Sequence, residues 1–266
     1  MILLNGKIIE NENILLDSGF YFGRGLFETM LVNDVPLFLE EHLDRINNGL
    51  STIEINKEIT KDEVMSAVNK LQCSNCVLKL VVTENNTLFT IRRNNYTQEH
   101  YKKGFKVKIS SVKRNEFSKL TYLKSLNYLE NILEHEKCIN EGYNEVLFFN
   151  TEGKLSEGSL SNVFFIKNKK IYTPSVECGL LEGTVRKFII NNFDVTEGKF
   201  SKEDLLSADS IFLTNSIMGI MKVSNIYEKS FDEDSIIEQI KKVYEDQVSK
   251  QKSISVSDVT SYLTST

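Results

Sequence analysis

Four stretches of the chain carry residue types that could do chemistry. Lys124 lies in TYLKSLNYLENILEHE, residues 121–136. It stands just ahead of Leu126, Leu129, Ile132, Leu133 and Ile139, which recur at helical spacing. Asn127 followed by Glu130 reads as an N-cap with a partial capping box. A helix start carries partial positive charge, which disfavours an ammonium group. A lysine whose charged form is disfavoured becomes a neutral amine, hence a nucleophile and a base. The second stretch, LSEGSLSN (155–162), sets Glu157 among small residues, followed by Ser161 and Asn162. A carboxylate in such a strand either faces solvent or is held by a specific partner. The third, LLEGTVRKFII (180–190), places Gly183, Thr184 and Val185 where an apolar helix begins. Backbone N–H groups at a helix start form a ready phosphate site. The fourth pairs Arg45, able to grip phosphate bidentately, with a polar loop at Asn215 and Ser216.

Taken singly, each has an ordinary reading: a solvated lysine, a turn carboxylate, a capped helix, and an i,i+4 pair of Arg45 with Glu41. Taken together they supply an amine, an acid and donors for a phosphate. Pyridoxal 5'-phosphate needs these three things, because its aldehyde condenses with a lysine and its ring nitrogen wants an acidic partner.

Composition narrows the classes. The chain has 266 residues, 41% hydrophobic and 26% charged, with a net charge of −5. That is an ordinary globular composition with room for a large core, and it gives nucleic acid no electrostatic footing. No apolar run is long enough to cross a bilayer, and the N-terminal MILLNGKIIENEN has no signal-peptide layout, so a cytoplasmic enzyme is expected. The 3 histidines and 4 cysteines hold no metal-ligand spacing, so no metal is expected. Cys73 and Cys76 form a CxxC, read here as small residues at a strand edge.

The elements that must position these groups are short strands and helices without regular βα alternation, an α/β (mixed α+β) pattern. MILLNGKII reads as a hairpin around Asn5-Gly6. LFETMLV reads as a strand, and FLEEHLDRINNGLSTI as a helix with Leu43, Ile46 and Leu50 on one side. VLKLVVT, LFTIRR and FKVKISSV read as further strands. The polar KRNEFSKLTY breaks the pattern. It predicts an N-terminal domain over 1–114, a linker over 115–121 and a C-terminal cofactor-binding domain over 122–266. There EVLFFN, LSEGSLSNVFFI, IYTPS and SIFLTNS read as sheet segments, and an amphipathic helix ends the pattern.

The run from KSLNYLENILEHE to LLEGTVRKFII, with GFYFGRGLFETMLVNDVPLFLEEHLDRI ahead of it, resembles the class IV aminotransferase family, the two-domain fold-type IV pyridoxal phosphate enzymes. The resemblance spans roughly residues 1–225. It implies that Lys124 condenses with the cofactor and moves protons, and that Glu157 contacts the pyridine nitrogen. It also implies that Arg45, Gly183, Thr184, Val185, Asn215 and Ser216 serve the phosphate, with Ser161 and Asn162 beside the cofactor. Where many members carry Ile-Thr, this chain has Thr184-Val185. Members are typically homodimers. Within the family, Thr29 in GLFET, the LTNSIMGIMKV loop and the short chain resemble the 4-amino-4-deoxychorismate lyases. The alternative is a transaminase of D-amino or branched-chain amino acids. The lyase reading gives Thr29 a part in proton transfer with Lys124. It also implies a small dicarboxylate substrate met by Phe27 and by cations drawn from Arg24, Arg92 and Arg93.

Overall fold

A computed structural model describes residues 2–9, 14–232 and 234–263, with side chains as far as Gln251. The chain forms two compact units, Met1–Asn95 with Lys241–Thr266, and Tyr96–Ile240. Within the first unit lie β1 (Ile2–Leu4), β2 (Lys7–Ile9), α1 (Ser18–Phe22), β3 (Gly25–Asn33), β4 (Val35–Pro36), α2 (Leu39–Thr52), α3 (Lys61–Lys70), β5 (Cys76–Thr83) and β6 (Thr87–Arg92). The second holds α4 (Gln98–Lys103), β7 (Phe105–Arg114), α5 (Leu129–Asn140), β8 (Glu145–Asn150), β9 (Leu155–Gly158), β10 (Asn162–Lys167), β11 (Lys170–Pro174), α6 (Thr184–Asn192), β12 (Val195–Gly198), α7 (Lys202–Leu206), β13 (Ser210–Asn215), β14 (Gly219–Ile226) and β15 (Lys229–Ser230). The last helix, α8 (Ser235–Leu263), begins in the second unit and ends in the first.

The first unit is built on an antiparallel sheet in the order β2-β1-β6-β5-β3-β4. Asn5 at positive φ and Gly6 make the expected hairpin turn between β1 and β2. In β3 the period-2 pattern buries Leu26, Glu28, Met30 and Val32, while Thr29, Leu31 and Asn33 on the other face stay half-buried. The buried face meets α2, whose stripe of Leu39, His42, Leu43, Ile46 and Leu50 follows the helical period. A capping box between Thr60 and Glu63 starts α3.

In the second unit β7 runs parallel to both β14 and β8, and the sheet order is β12-β11-β10-β13-β14-β7-β8-β9. Phe105, Val107, Leu147, Phe149, Val163, Phe165, Leu213 and Met221 form the continuous core of this sheet. The pairing of β7 corrects the expected domain boundary. The division falls at Asn95 and Tyr96 rather than over 115–121, because β7 is an interior strand of the second sheet.

Two further expectations are corrected. The N-cap of α5 is Tyr128, without a side-chain cap bond, so Asn127 and Glu130 form no capping box. Nor does the apolar stripe of α5 face the core. Leu129 is 68% and Leu133 54% exposed, and Asn131 and Cys138 are buried instead. Cys73 and Cys76 are not merely small residues at a strand edge. They form a disulfide that ties the end of α3 to the start of β5, across a turn with Gln72 and Asn75 at positive φ.

Candidate active site

The second unit holds Lys124, Glu157 and the start of α6. Lys124 lies half-buried in the irregular segment before α5, with its ammonium 5.3 Å from the centre of the Tyr128 ring. Glu157 sits on β9, 7% exposed, and accepts a hydrogen bond from the Leu181 N–H at 3.0 Å. Burial pushes its carboxyl up to about 7, against the opposing charges of Arg114 and Lys124. Leu181 also joins Glu157 to the next element, because its carbonyl accepts the Asn162 side-chain amide at 2.8 Å.

Asn162 in turn borders the start of α6. A Cβ on Gly183 would come within 2.1 Å of Asn162 Oδ1, so only glycine allows this approach. Gly183 is the N-cap of α6 and makes no side-chain cap bond. Thr184 and Val185 are buried in its first turn, and the Thr184 hydroxyl has no hydrogen-bond partner. A buried, unpartnered hydroxyl at the N-terminus of a helix suits an anion. Arg186 anchors this turn from behind, donating to the Pro174 carbonyl at 2.9 Å and pairing with Glu197. Asn215 shapes the loop that carries Ser216, since its Oδ1 accepts the N–H groups of Ile217 and Met218 at 2.9 and 2.8 Å. An amine, a buried acid and an N–H-lined helix start match the aldehyde, ring nitrogen and phosphate of pyridoxal phosphate.

Ser161 leads from this site to a second buried carboxylate. Its hydroxyl donates to Glu145 at 2.8 Å, and Ser159 donates to the same carboxylate. Burial opposes charge on Glu145, but His135, the Ser159 hydroxyl and the Val146 N–H outweigh it and hold the carboxyl below its usual range. Three groups here escaped sequence reasoning: Arg114, Glu145 and Tyr128. Arg114 Nη2 lies 3.3 Å from Glu157, and Tyr128 donates to the Ser159 carbonyl at 3.0 Å.

The first unit holds the other candidates. Arg45 takes neither the Glu41 pairing nor a surface position. Its Nε and Nη2 both donate to Glu28 on β3 at 2.6 Å, and His42 meets the same carboxylate at 2.6 Å. Burial resists the charge on Glu28, yet Arg45 and His42 prevail and hold the carboxyl far below the usual range. Removing Arg45 would leave a buried carboxylate poorly compensated, a change that costs about 3 kcal/mol or more. Arg45→Ala should therefore lower the unfolding free energy by about that amount in denaturant titrations. An unchanged midpoint would show that the clamp adds nothing to stability.

Thr29 lies opposite Lys79 in the β3–β5 register, and Lys79 sits 4.9 Å over the Phe27 ring. Arg92 pairs with Val77, two residues along from Lys79, so it shares the face of Thr29 and Lys79. Partial burial, with the Arg92 charge second, lowers the Lys79 ammonium from its usual value. Arg24 is not on this face. Its guanidinium caps the end of α2, donating to the carbonyls of Ile53 and Glu54 at 2.9 and 2.8 Å. Arg93 follows the last residue of β6 and is exposed.

The two antiparallel and mixed sheets, with a lysine, a buried acid and a helix start in the second, define a fold shared with solved enzymes. A 4-amino-4-deoxychorismate lyase from Pseudomonas aeruginosa superposes with a TM-score of 0.85 at 23% identity, covering 92% of this chain and 98% of that one. A protein of Mycobacterium tuberculosis described as a hypothetical aminotransferase, in its PLP-bound form, superposes at 0.80 with 18% identity, covering 94% and 99%. The amino-transferase class IV model matches residues 25–226, and the chain belongs to that family. Among curated relatives, an aminodeoxychorismate lyase of Bacillus subtilis is 29% identical over 88% of this chain and 89% of its own length.

Proposed function

We propose that the chain is a pyridoxal phosphate-dependent lyase that converts 4-amino-4-deoxychorismate to 4-aminobenzoate and pyruvate. The observation that carries the chemistry is the joining of Glu157, Leu181, Asn162, Gly183 and Thr184 into one hydrogen-bonded and close-packed series in the unit that also holds Lys124. The lyase branch is supported by the likeness to the Bacillus subtilis enzyme and by Thr29 standing among Lys79 and Arg92, cations suited to a dicarboxylate.

When bound, the cofactor supplies an electron sink for charge developing at the amino-bearing carbon. Lys124 holds it and serves as the base that takes the proton from that ring carbon. Loss of this proton drives cleavage of the enolpyruvyl C–O bond, the ring becomes aromatic, and the departing enol takes up a proton to become pyruvate. No second keto acid enters. Glu157 would partner the ring nitrogen, and the first turn of α6 with Asn215 and Ser216 would hold the phosphate. The exposed apolar stripe of α5 supports a homodimer, and the lack of any bilayer-spanning helix among the described residues fits a cytoplasmic enzyme.

The test is to offer purified enzyme 4-amino-4-deoxychorismate alone, and separately D-alanine with 2-oxoglutarate. Stoichiometric 4-aminobenzoate and pyruvate without keto acid is the expected result. Brisk transamination with no 4-aminobenzoate would replace this reading with the transaminase one. Thr29→Val keeps the β-branched shape and deletes the hydroxyl. It should leave the cofactor bound and slow 4-aminobenzoate release about 10²-fold. If lyase and residual transaminase rates fall equally, Thr29 has no part in specificity.

A further inference from the structure

Arg114 ends β7 and is buried, with 6% exposure. Its guanidinium lies 4.0 Å over the centre of the Phe148 ring, where the π face receives a cation. Nη1 donates to Asn131 Oδ1 at 3.0 Å and lies 3.4 Å from Glu130. Nη2 stands 3.3 Å from Glu157 Oε1, close enough for charge attraction but not aligned as a hydrogen bond. Nε has no hydrogen-bond partner either. A buried guanidinium with two donors unsatisfied is costly, and packing alone does not account for it.

We infer that Arg114 is a positioning residue acting through Glu157: fixed on Phe148 and Asn131, it favours the ionised carboxylate and keeps it in place to receive a protonated ring nitrogen. This rests on the assignment of Glu157 to that nitrogen. Other charged or titratable groups also bear on Glu157. Lys124, from the segment before α5, favours its ionisation, and Glu145 on β8 opposes it. Tyr128, beside Lys124, is held neutral by burial, its hydroxyl pushed well above its ordinary value. Burial places the Glu157 titration at about 7 even with Arg114 present, so loss of that cation drives the carboxyl higher still. Below its titration midpoint Glu157 must lose a proton before it can face a pyridinium, so cofactor affinity falls as pH drops.

The experiment measures two quantities across pH for wild type, Arg114→Lys and Arg114→Met. One is the infrared carboxyl band of the apoenzyme that Glu157→Gln abolishes. The other is the dissociation constant of added pyridoxal phosphate. Arg114→Met should raise both midpoints by about one pH unit or more, and Arg114→Lys should stay nearer to wild type. A band midpoint unmoved in Arg114→Met, or moved equally in both variants, would overturn the inference. If Arg114→Met does not fold, Asn131→Ala loosens the Nη1 tether and should move the band in the same direction by less. No movement there would count against the inference too. A shifted carboxyl band with unchanged cofactor affinity upholds the Arg114–Glu157 coupling and removes Glu157 from the ring nitrogen.

Discussion

Replacing Lys124 with alanine should abolish 4-aminobenzoate formation and leave the protein colourless after dialysis. The proposed function gives Lys124 two roles that fall together in this variant, the covalent hold on the cofactor and the base that takes the proton. Acid–base groups contribute about 10²–10⁴-fold. With the anchor lost as well, a fall of ~10⁴-fold is expected, roughly 5.5 kcal/mol in the barrier. The fold should survive, because Lys124 is half-buried in an irregular segment and belongs to no helix or strand. Borohydride treatment of the wild type should fix the cofactor to one peptide, read by mass spectrometry. An adduct on any other lysine would remove Lys124 from its role, and so would a variant that retains turnover. Exogenous small amines should restore part of the proton transfer in Lys124→Ala, since a freely diffusing base can reach a pocket from which the side chain is gone.

What was legible in the sequence follows from the range over which each signal acts. Local periodicity disclosed β3, α2 and the hairpin at Asn5-Gly6, because their patterns complete within a few residues. The domain boundary did not, since β7 pairs with β14, more than a hundred residues away, and no local composition records a parallel pairing. The α5 stripe misled for a related reason. A helical apolar period tells which side is apolar but not what lies against it, and here the inward side carries Asn131 and Cys138. Lys124, Glu157 and the Gly183-Thr184 helix start stood out by residue type in unusual company. Arg114 and Glu145 did not, because they end and begin strands in charged-looking stretches, KVKISSVKR and NEVLFFN. Only the fold shows both to be buried, Arg114 against Glu157 and Glu145 among serines. Nothing near Arg24 in the sequence discloses its backbone partners, which lie thirty residues on at the end of α2.

Glu157→Gln should slow turnover about 100-fold while making the empty enzyme more stable at neutral pH. The kinetic loss follows from charge. Glutamine keeps the shape and can keep the Leu181 N–H bond, but it cannot hold a proton on the ring nitrogen by opposite charge. An electrostatic contribution of ~3 kcal/mol corresponds to ~100-fold in rate. The stability gain follows from burial. Glu157 titrates at about 7 in the folded protein against 4.5 for an ordinary glutamate. Between those values the folded state binds more protons than the unfolded state, so stability falls as pH rises through the interval. A shift of that size corresponds to a loss of up to about 3 kcal/mol, complete once the pH passes the folded-state value. Glutamine resembles the protonated acid and carries no such loss, so the two proteins should have similar stability near pH 5 and diverge above it. Denaturant titrations of both apoenzymes at pH 5 and pH 8 measure the divergence, and 4-aminobenzoate release with saturating cofactor measures the rate. Parallel stability curves would mean that Glu157 is already ionised at pH 5, with Arg114 outweighing burial. A near-wild-type rate would take the carboxylate out of the chemistry and leave Lys124 to act without an acidic partner across the ring.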